Sequence, residues 1–312
     1  MRVGYFPNIT HAQAVVGVAD GTFRRALGDR VRLDTKVFNA GPSAIEALFA
    51  DQIDLTYIGP NPAINGYVRS GGRALRIIAG ATSGGAVFVV RADANIRNAA
   101  DLRGRRLASP QLGNTQDVAL RGWLQAQGLP LRERGGTTEV IPVANPDILT
   151  LFQKGEIDGA WVPEPWGARL VREAGGRIFL DERDLWPEGR FVTAHVIVRT
   201  AFLSAHPDIV ARWLAAHLDL TDRLTRDPAA AQRVLNAEIE RLTGKRLPLP
   251  VLEDAWSRMT FTWDPVRASL LRSADAAFKL GFLGDDPPNL DGIYDLAPLN
   301  RLLRERNLAE VK

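Results

Sequence analysis

The chain has 312 residues, of which 46% are hydrophobic and 24% charged, an ordinary globular composition that excludes a disordered or collagen-like polymer. Its 39 basic residues exceed its 36 acidic ones by three, and only five of the basic residues are lysines. Zero cysteines exclude disulfides, thiolate metal sites and a cysteine nucleophile. The length predicts one large or two moderate domains. No apolar run approaches the roughly 18 residues of a membrane span. The basic residues are dispersed among acids apart from Arg103, Arg105 and Arg106, so no nucleic-acid partner is expected.

Met1 to Pro7 reads as a strand entering a loop, with no charged and apolar leader before it, so a targeting segment is expected to be absent from this chain. Short apolar strands are then predicted at Val31–Phe38, Leu55–Ile58, Leu75–Ala79, Val87–Arg91, Arg106–Ala108, Glu139–Pro142, Gly159–Val162, Arg177–Leu180 and Phe191–Arg199. Amphipathic stretches lie between them at Ala12–Leu27, Ser43–Ala50, Thr115–Gln127 and Asp147–Lys154. That alternation predicts α/β sheets covered on both faces. Beyond Ala201 the pattern turns helical, with Pro207–Arg226, Pro228–Leu242, Pro250–Met259 and Val266–Leu280 each opened at or near a proline.

A weak internal repeat runs through this pattern. Leu48-Phe49, then Ile53-Asp54, a strand and Gly59-Pro60-Asn61-Pro62 are echoed by Leu151-Phe152, then Ile157-Asp158, a strand and Pro163-Glu164-Pro165-Trp166. Leu48 to Pro62 and Leu151 to Pro165 both span fourteen residues, whereas the Ile-Asp pair slips by one. Two similar lobes are implied, each with a proline loop beyond a strand's carboxyl end, where open α/β sheets bind ligands.

Enzyme motifs are missing: no dinucleotide fingerprint, no phosphate-binding loop and no nucleophile elbow. The four histidines, His11, His195, His206 and His217, have no paired-ligand spacing, so neither a metal nor a cofactor is expected. What the sequence does offer is a series of small polar loops at helix starts. They are Pro7 to His11, Asn39 to Ser43, Gly59 to Pro62, Thr82 to Gly85 and Gly113 to Asp117. Helix starts carry unpaired N–H groups and the positive end of the dipole, so several converging would hold a small oxyanion without a lysine. Taken singly, such residues are helix caps. Trp161 at a strand end can wall a pocket or pack in a core, and Glu164 would repel an anion unless an arginine or a ligand amine pairs with it. His11 and His195 read as structural hydrogen bonders.

On these residues the chain resembles the periplasmic substrate-binding proteins of ABC transporters in the aliphatic sulfonate, taurine and nitrate group, whose relatives include binders of thiamine-precursor pyrimidines. The matching pieces are Val3-Gly4-Tyr5-Phe6-Pro7, Asn39-Ala40-Gly41-Pro42 with Glu46-Ala47-Leu48, Gln52-Ile53-Asp54-Leu55, and Ala100-Asp101-Leu102-Arg103-Gly104-Arg105-Arg106. Gly113-Asn114-Thr115 and Gly155-Glu156-Ile157-Asp158-Gly159-Ala160-Trp161, running into Glu164-Pro165, complete the set. The resemblance implies a type II two-lobe binding-protein fold with two crossing hinge strands and a helical C-terminal part. Lobe one would be residues 1–88 plus 195–312, lobe two 89–194, and the hinge near 87–90 and 191–196. It implies ligand contacts from His11, Ser43, Gly59, Pro60, Asn61, Ser83, Gly85, Asn114, Thr115, Gln116, Trp161 and Glu164. The implied role is capture of a small oxyanion, an aliphatic sulfonate such as taurine or an alkanesulfonate, by a monomer that delivers it to an inner-membrane permease from the periplasmic or extracellular side. The alternative is a pyrimidine-precursor binding protein or a related enzyme on the same scaffold, and a third reading is a ligand sensor.

Overall fold

The structure, a computed structural model, describes residues 1–312. Strands β1 (Arg2–Tyr5), β2 (Asp34–Val37), β3 (Leu55–Ile58) and β4 (Leu75–Gly84) are followed by β5 (Ala86–Arg91), β6 (Arg106–Ser109), β7 (Glu139–Pro142), β8 (Gly159–Pro163) and β9 (Gly176–Asp181). The chain then adds β10 (Val192–Arg199) and β11 (Met259–Phe261). The first sheet has the order β11-β4-β10-β3-β1-β2 and the second β7-β6-β8-β5-β9. The expected α/β architecture of two sheet-centred lobes is therefore present.

Helices α1 (Ala12–Ala19), α2 (Thr22–Leu27), α3 (Gly41–Phe49) and α4 (Pro60–Arg69) cover the first sheet. Helices α5 (Thr115–Ala126), α6 (Asn145–Gln153) and α7 (Trp166–Ala174) cover the second. The tail supplies α8 (Thr200–Ala205), α9 (Pro207–Arg226), α10 (Pro228–Thr243), α11 (Leu249–Ser257), α12 (Arg267–Lys279) and α13 (Ala297–Glu305). The expected helix Ala12–Leu27 divides at Gly21, whose left-handed φ of 75° ends one helix and starts the next. Pro60, Asn61 and Pro62, expected as a loop, are instead the first turn of α4, because proline's fixed φ suits that turn and its missing N–H costs nothing there.

The first sheet lies between apolar clusters of 37 and 20 buried residues, the second between clusters of 11 and 10, so most of the hydrophobic stabilisation belongs to the first. Its closest aromatic stack is Phe23 on Trp213 of α9, with ring centroids 3.6 Å apart.

The chain passes between sheets twice. The first passage is the Gly84-Gly85 joint, with φ of 75° and 77°. A Cβ on Gly84 would stand 2.6 Å from the Arg258 carbonyl oxygen, so this joint tolerates no side chain. The second runs through short 3₁₀ turns between Asp181 and Val192. Residues 87–90, expected at a crossing, lie inside β5 and pair along their whole length with β8, and Val192 to Val196 lie inside β10. Apolar strand residues stay in the sheets, and the bend falls to the glycines.

Candidate functional site

The parallel strands β1, β2 and β3 of the first sheet and β6, β7 and β8 of the second send their following loops into the space between the sheets. Gly59 caps α4 and is buried; a Cβ there would meet Thr115 Oγ1 at 2.3 Å and the Thr193 carbonyl oxygen at 3.5 Å. The starts of α4 and α5 thus touch across the cleft. The start of α3 leans on α4, since a Cβ on Gly41 would meet the Pro62 ring at 2.3 Å. Ala40, Gly59 and Asn114 cap these three helices, and none of them bonds the first-turn N–H groups with a side chain. Pro42, Pro60 and Pro62 carry no N–H, and the first-turn N–H groups of the other residues, such as Asn61, Thr115 and Gln116, remain available to an anion. Thr115 Oγ1 is buried and has no hydrogen-bond partner, and Gln116 beside it is also buried.

Asp117 holds this start of α5 in place. Its Oδ1 accepts from Ser109 Oγ at 2.6 Å and from Arg121 Nε at 2.9 Å, and its Oδ2 accepts from the Gly113 N–H at 2.9 Å. The carboxylate therefore anchors the loop, with Arg121 balancing its charge. Sequence reading placed Asp117 in the loop without seeing this role, which depends on a strand residue eight positions earlier.

The corresponding start of α7 is filled from within. Buried Glu164 pairs through Oε1 with Arg258 Nη1 at 2.8 Å, while Oε2 accepts the Ala168 N–H at 2.9 Å. Burial pushes this carboxyl above its usual range and Arg258 opposes the shift. The main-chain N–H of Glu164 donates to Gly85 at 2.9 Å, so the pair sits beside the glycine joint. Glu164 is a structural anion here, and it is occupied by an arginine.

Several other candidates turn away from the cleft. Trp161 belongs to the second core, stacked on Phe88 at 5.6 Å with Nε1 donating to Glu182 Oε2 at 2.8 Å. Strand β8 is buried on both faces, so alternation carries no signal about which way Trp161 points. Asn61 Nδ2 donates to the Ser273 carbonyl at 3.3 Å, which ties α4 to α12. Pro60 is buried in the first turn of α4. Ser83 Oγ accepts the Phe191 N–H at 3.3 Å, and Gly85 forms the joint. Ser43 is exposed at the rim, 3.5 Å from Gln111 Nε2. His11 is buried and stacked on Phe6 at 4.4 Å, and its Nδ1 accepts the Phe6 N–H at 3.3 Å. Burial drives its pKa down to about 3, so it is a neutral brace for the loop after β1. His195 is likewise structural, with Nε2 2.9 Å from the Pro265 carbonyl.

A cavity of about 350 Å³ lies between the lobes, lined among others by Asn8, Asn39, Asn145, Trp166 and Arg169. Trp166 Nε1 donates to Asn8 Oδ1 across the cleft at 3.0 Å. The Arg169 guanidinium lies 4.6 Å over the Trp166 ring and pairs with Glu173 at 3.1 Å. Asn145 Oδ1 is buried without a partner. Asn145 and Arg169 escaped sequence reading, although Asn145-Pro146 follows a predicted strand just as the other helix starts do. Three larger cavities, of about 630, 560 and 530 Å³, lie outside the cleft. No cluster of three metal-ligating side chains forms, and no helix is long and apolar enough to cross a membrane.

Two α/β lobes meeting at a cleft of uncapped helix starts have the architecture of two-lobe substrate-binding proteins. The profile of the NMT1-like family matches residues 1–239, and the chain belongs to that family. It is 26% identical over 189 residues to the taurine-binding periplasmic protein of Escherichia coli K12, covering 61% of this chain and 56% of that protein. The first relatives matched are aligned over 48% of their own length, so the chain spans about half the length of the curated relatives it matches. The fold matches the alkanesulfonate-binding protein SsuA of Xanthomonas axonopodis pv. citri bound to MOPS, with a TM-score of 0.78, 19% identity and coverage of 95% and 97% of the two chains. It also matches the periplasmic nitrate-binding protein NrtA of Synechocystis PCC 6803, with a TM-score of 0.75, 13% identity and coverage of 97% and 88%.

Proposed function

We propose that this chain is the substrate-binding component of an ABC importer and captures a small oxyanion, an aliphatic sulfonate such as taurine or an alkanesulfonate, between its lobes. The observation that carries the reading is the contact of the uncapped α4 and α5 starts, with the buried Thr115 hydroxyl unpartnered between them. Opening about the Gly84-Gly85 joint would admit the anion. Closure would then turn first-turn N–H groups and Thr115 Oγ1 toward its oxygens. The cavity beside Asn8 supplies volume for the rest of the molecule, and Asn145 Oδ1 is an acceptor suited to an ammonium such as taurine's. Binding and closure need no catalytic residue, so the proposed role is transport and not catalysis. A closed, loaded protein would present its ligand to a permease in the inner membrane, so the proposed site of action is the periplasmic or extracellular face. The named sulfonate and taurine relatives support this class of ligand.

Calorimetric titration with taurine, ethanesulfonate, butanesulfonate, nitrate and sulfate tests the reading. Thr115→Ala is expected to weaken sulfonate binding by about 1–3 kcal/mol, the cost of an unpaired polar group in a desolvated site. Asn145→Ala is expected to weaken taurine and spare ethanesulfonate. Unchanged sulfonate affinity in Thr115→Ala, or no sulfonate binding by the wild type, would overturn it.

A further inference from the structure

Outside the cleft, α5 of one lobe and α12 of the other enclose a groove of about 530 Å³ whose lining is more than half apolar or aromatic. Its floor is Trp161 with Glu182, and Trp123 stands 6.3 Å from Trp161, ring centre to ring centre. Glu182 is buried, and its carboxyl accepts the Trp161 indole N–H at 2.8 Å. No basic side chain pairs with it. Arg272, on the rim, lies 4.7 Å over the Trp186 ring and donates to the Leu185 carbonyl at 3.2 Å. Lys279 is held by Asp275 at 2.6 Å.

A buried carboxylate without a cation is costly, and aromatic faces around it are the surroundings that attract one. We infer that this groove is a second binding site, which takes a small organic monocation with an ammonium head on Glu182 and an apolar body along Trp123 and Leu185. Burial pushes the Glu182 carboxyl up to about 7, in keeping with the absence of a paired basic side chain. The proposed site differs from the cleft in ligand charge and in every lining residue the argument uses, so it stands or falls independently of the sulfonate reading.

Phenethylamine is a suitable probe, with 2-phenylethanol and 3-phenylpropionate as its neutral and anionic counterparts, titrated by tryptophan fluorescence and calorimetry up to millimolar concentration. The amine is expected to bind and the alcohol to bind at least about tenfold more weakly, a difference within reach of one desolvated charge pair and its aromatic contacts. The acid is expected not to bind. Glu182→Gln, which keeps an acceptor for the Trp161 N–H, is expected to reduce the amine to the alcohol's affinity.

Gly122→Leu gives a second route that leaves Glu182 intact. A Cβ at Gly122 meets only the Ala276 Cβ at 3.9 Å, so leucine fills the groove and removes amine binding, while sulfonate affinity stays as in the wild type. Amine affinity is also expected to fall as pH drops through about 7 and Glu182 takes up a proton. The charged groups facing Glu182 are Asp181, paired with Arg183, on its own segment, and Arg272, Asp275 and Lys279 from α12; the lining residues of α5 carry none. Absence of amine binding, equal binding of amine and alcohol, or full amine affinity in Glu182→Gln or Gly122→Leu would overturn the proposal.

Discussion

Asp54 precedes β3 and accepts the main-chain N–H of Arg2 on β1 at 2.8 Å; Asp158 precedes β8 and accepts that of Arg106 on β6 at 2.9 Å. Each aspartate also pairs with an arginine, Arg2 in one half and Arg105 in the other. The helix–strand–helix units α3-β3-α4 and α6-β8-α7 are thus built alike up to the strand's end. There they diverge. The first unit continues with Gly59, which leaves the start of α4 bare and in contact with Thr115, whereas the second continues with Glu164, whose carboxylate fills the start of α7. The same local architecture leaves a helix start bare in one half and houses an internal anion in the other, and the difference is set by one side chain.

Placing a side chain in the bare half should have the largest effect. Gly59→Val would drive a branched group into Thr115, so sulfonate binding is expected to be lost and small-angle scattering to show a more open particle, with the fold of each sheet retained. Ligand binding equal to wild type would break the comparison. In the filled half, Arg258→Met leaves Glu164 buried without its partner and is expected to cost about 3–5 kcal/mol in urea unfolding. The loss should shrink as pH falls, because Glu164 can then take up a proton. Adding Glu164→Gln should recover most of it at neutral pH. Asp117→Asn sits between these cases. It weakens the bonds to Gly113 and Arg121 and is expected to lower stability by about 1–3 kcal/mol.

Histidine supplies a pH test of the first lobe. His217 Nε2 donates to the Gly80 carbonyl at 2.9 Å and Nδ1 accepts from the Tyr57 hydroxyl at 2.9 Å, so the ring is held neutral, and burial lowers its pKa from 6.5 to about 4. The unfolded chain binds a proton below 6.5 and the folded ring does not, so His217 contributes stability above that value that is lost as pH falls toward 4. The loss is about 1 kcal/mol per pH unit across that window. Glu182, with its raised pKa, acts in the opposite sense, so the contribution is isolated by comparing wild type with His217→Gln, whose pH dependence should be flatter by that amount. At the small end, Arg69→Gln breaks a pair with Glu46 whose side chains are both more than half exposed, and both binding and stability should stay within about 0.5 kcal/mol.

Much of this was legible in the sequence because strands buried on both faces read as short apolar runs and their helix starts as Gly, Asn and Thr. Helices α4 and α7 were hidden by prolines, which signal turns: Pro60 and Pro62 also serve as first-turn residues of α4, while Pro163 ends β8 and Pro165 caps α7. The pairing of Glu164 with Arg258, 94 residues away, has no local signature, and the orientation of Trp161 in a wholly buried strand has none either.

The sheet order also fixes a schedule for the growing chain. The second sheet is complete once Asp181 has been made, with all five of its strands contiguous in the sequence. The first cannot close then, because β10 fills the gap between β4 and β3 and is not finished until Arg199. Trp213 and α13, which complete the larger core, come later still. During synthesis the inserted unit can therefore fold while the frame around it is still open, and β3 and β4 wait as unpaired edges for the strand that joins them.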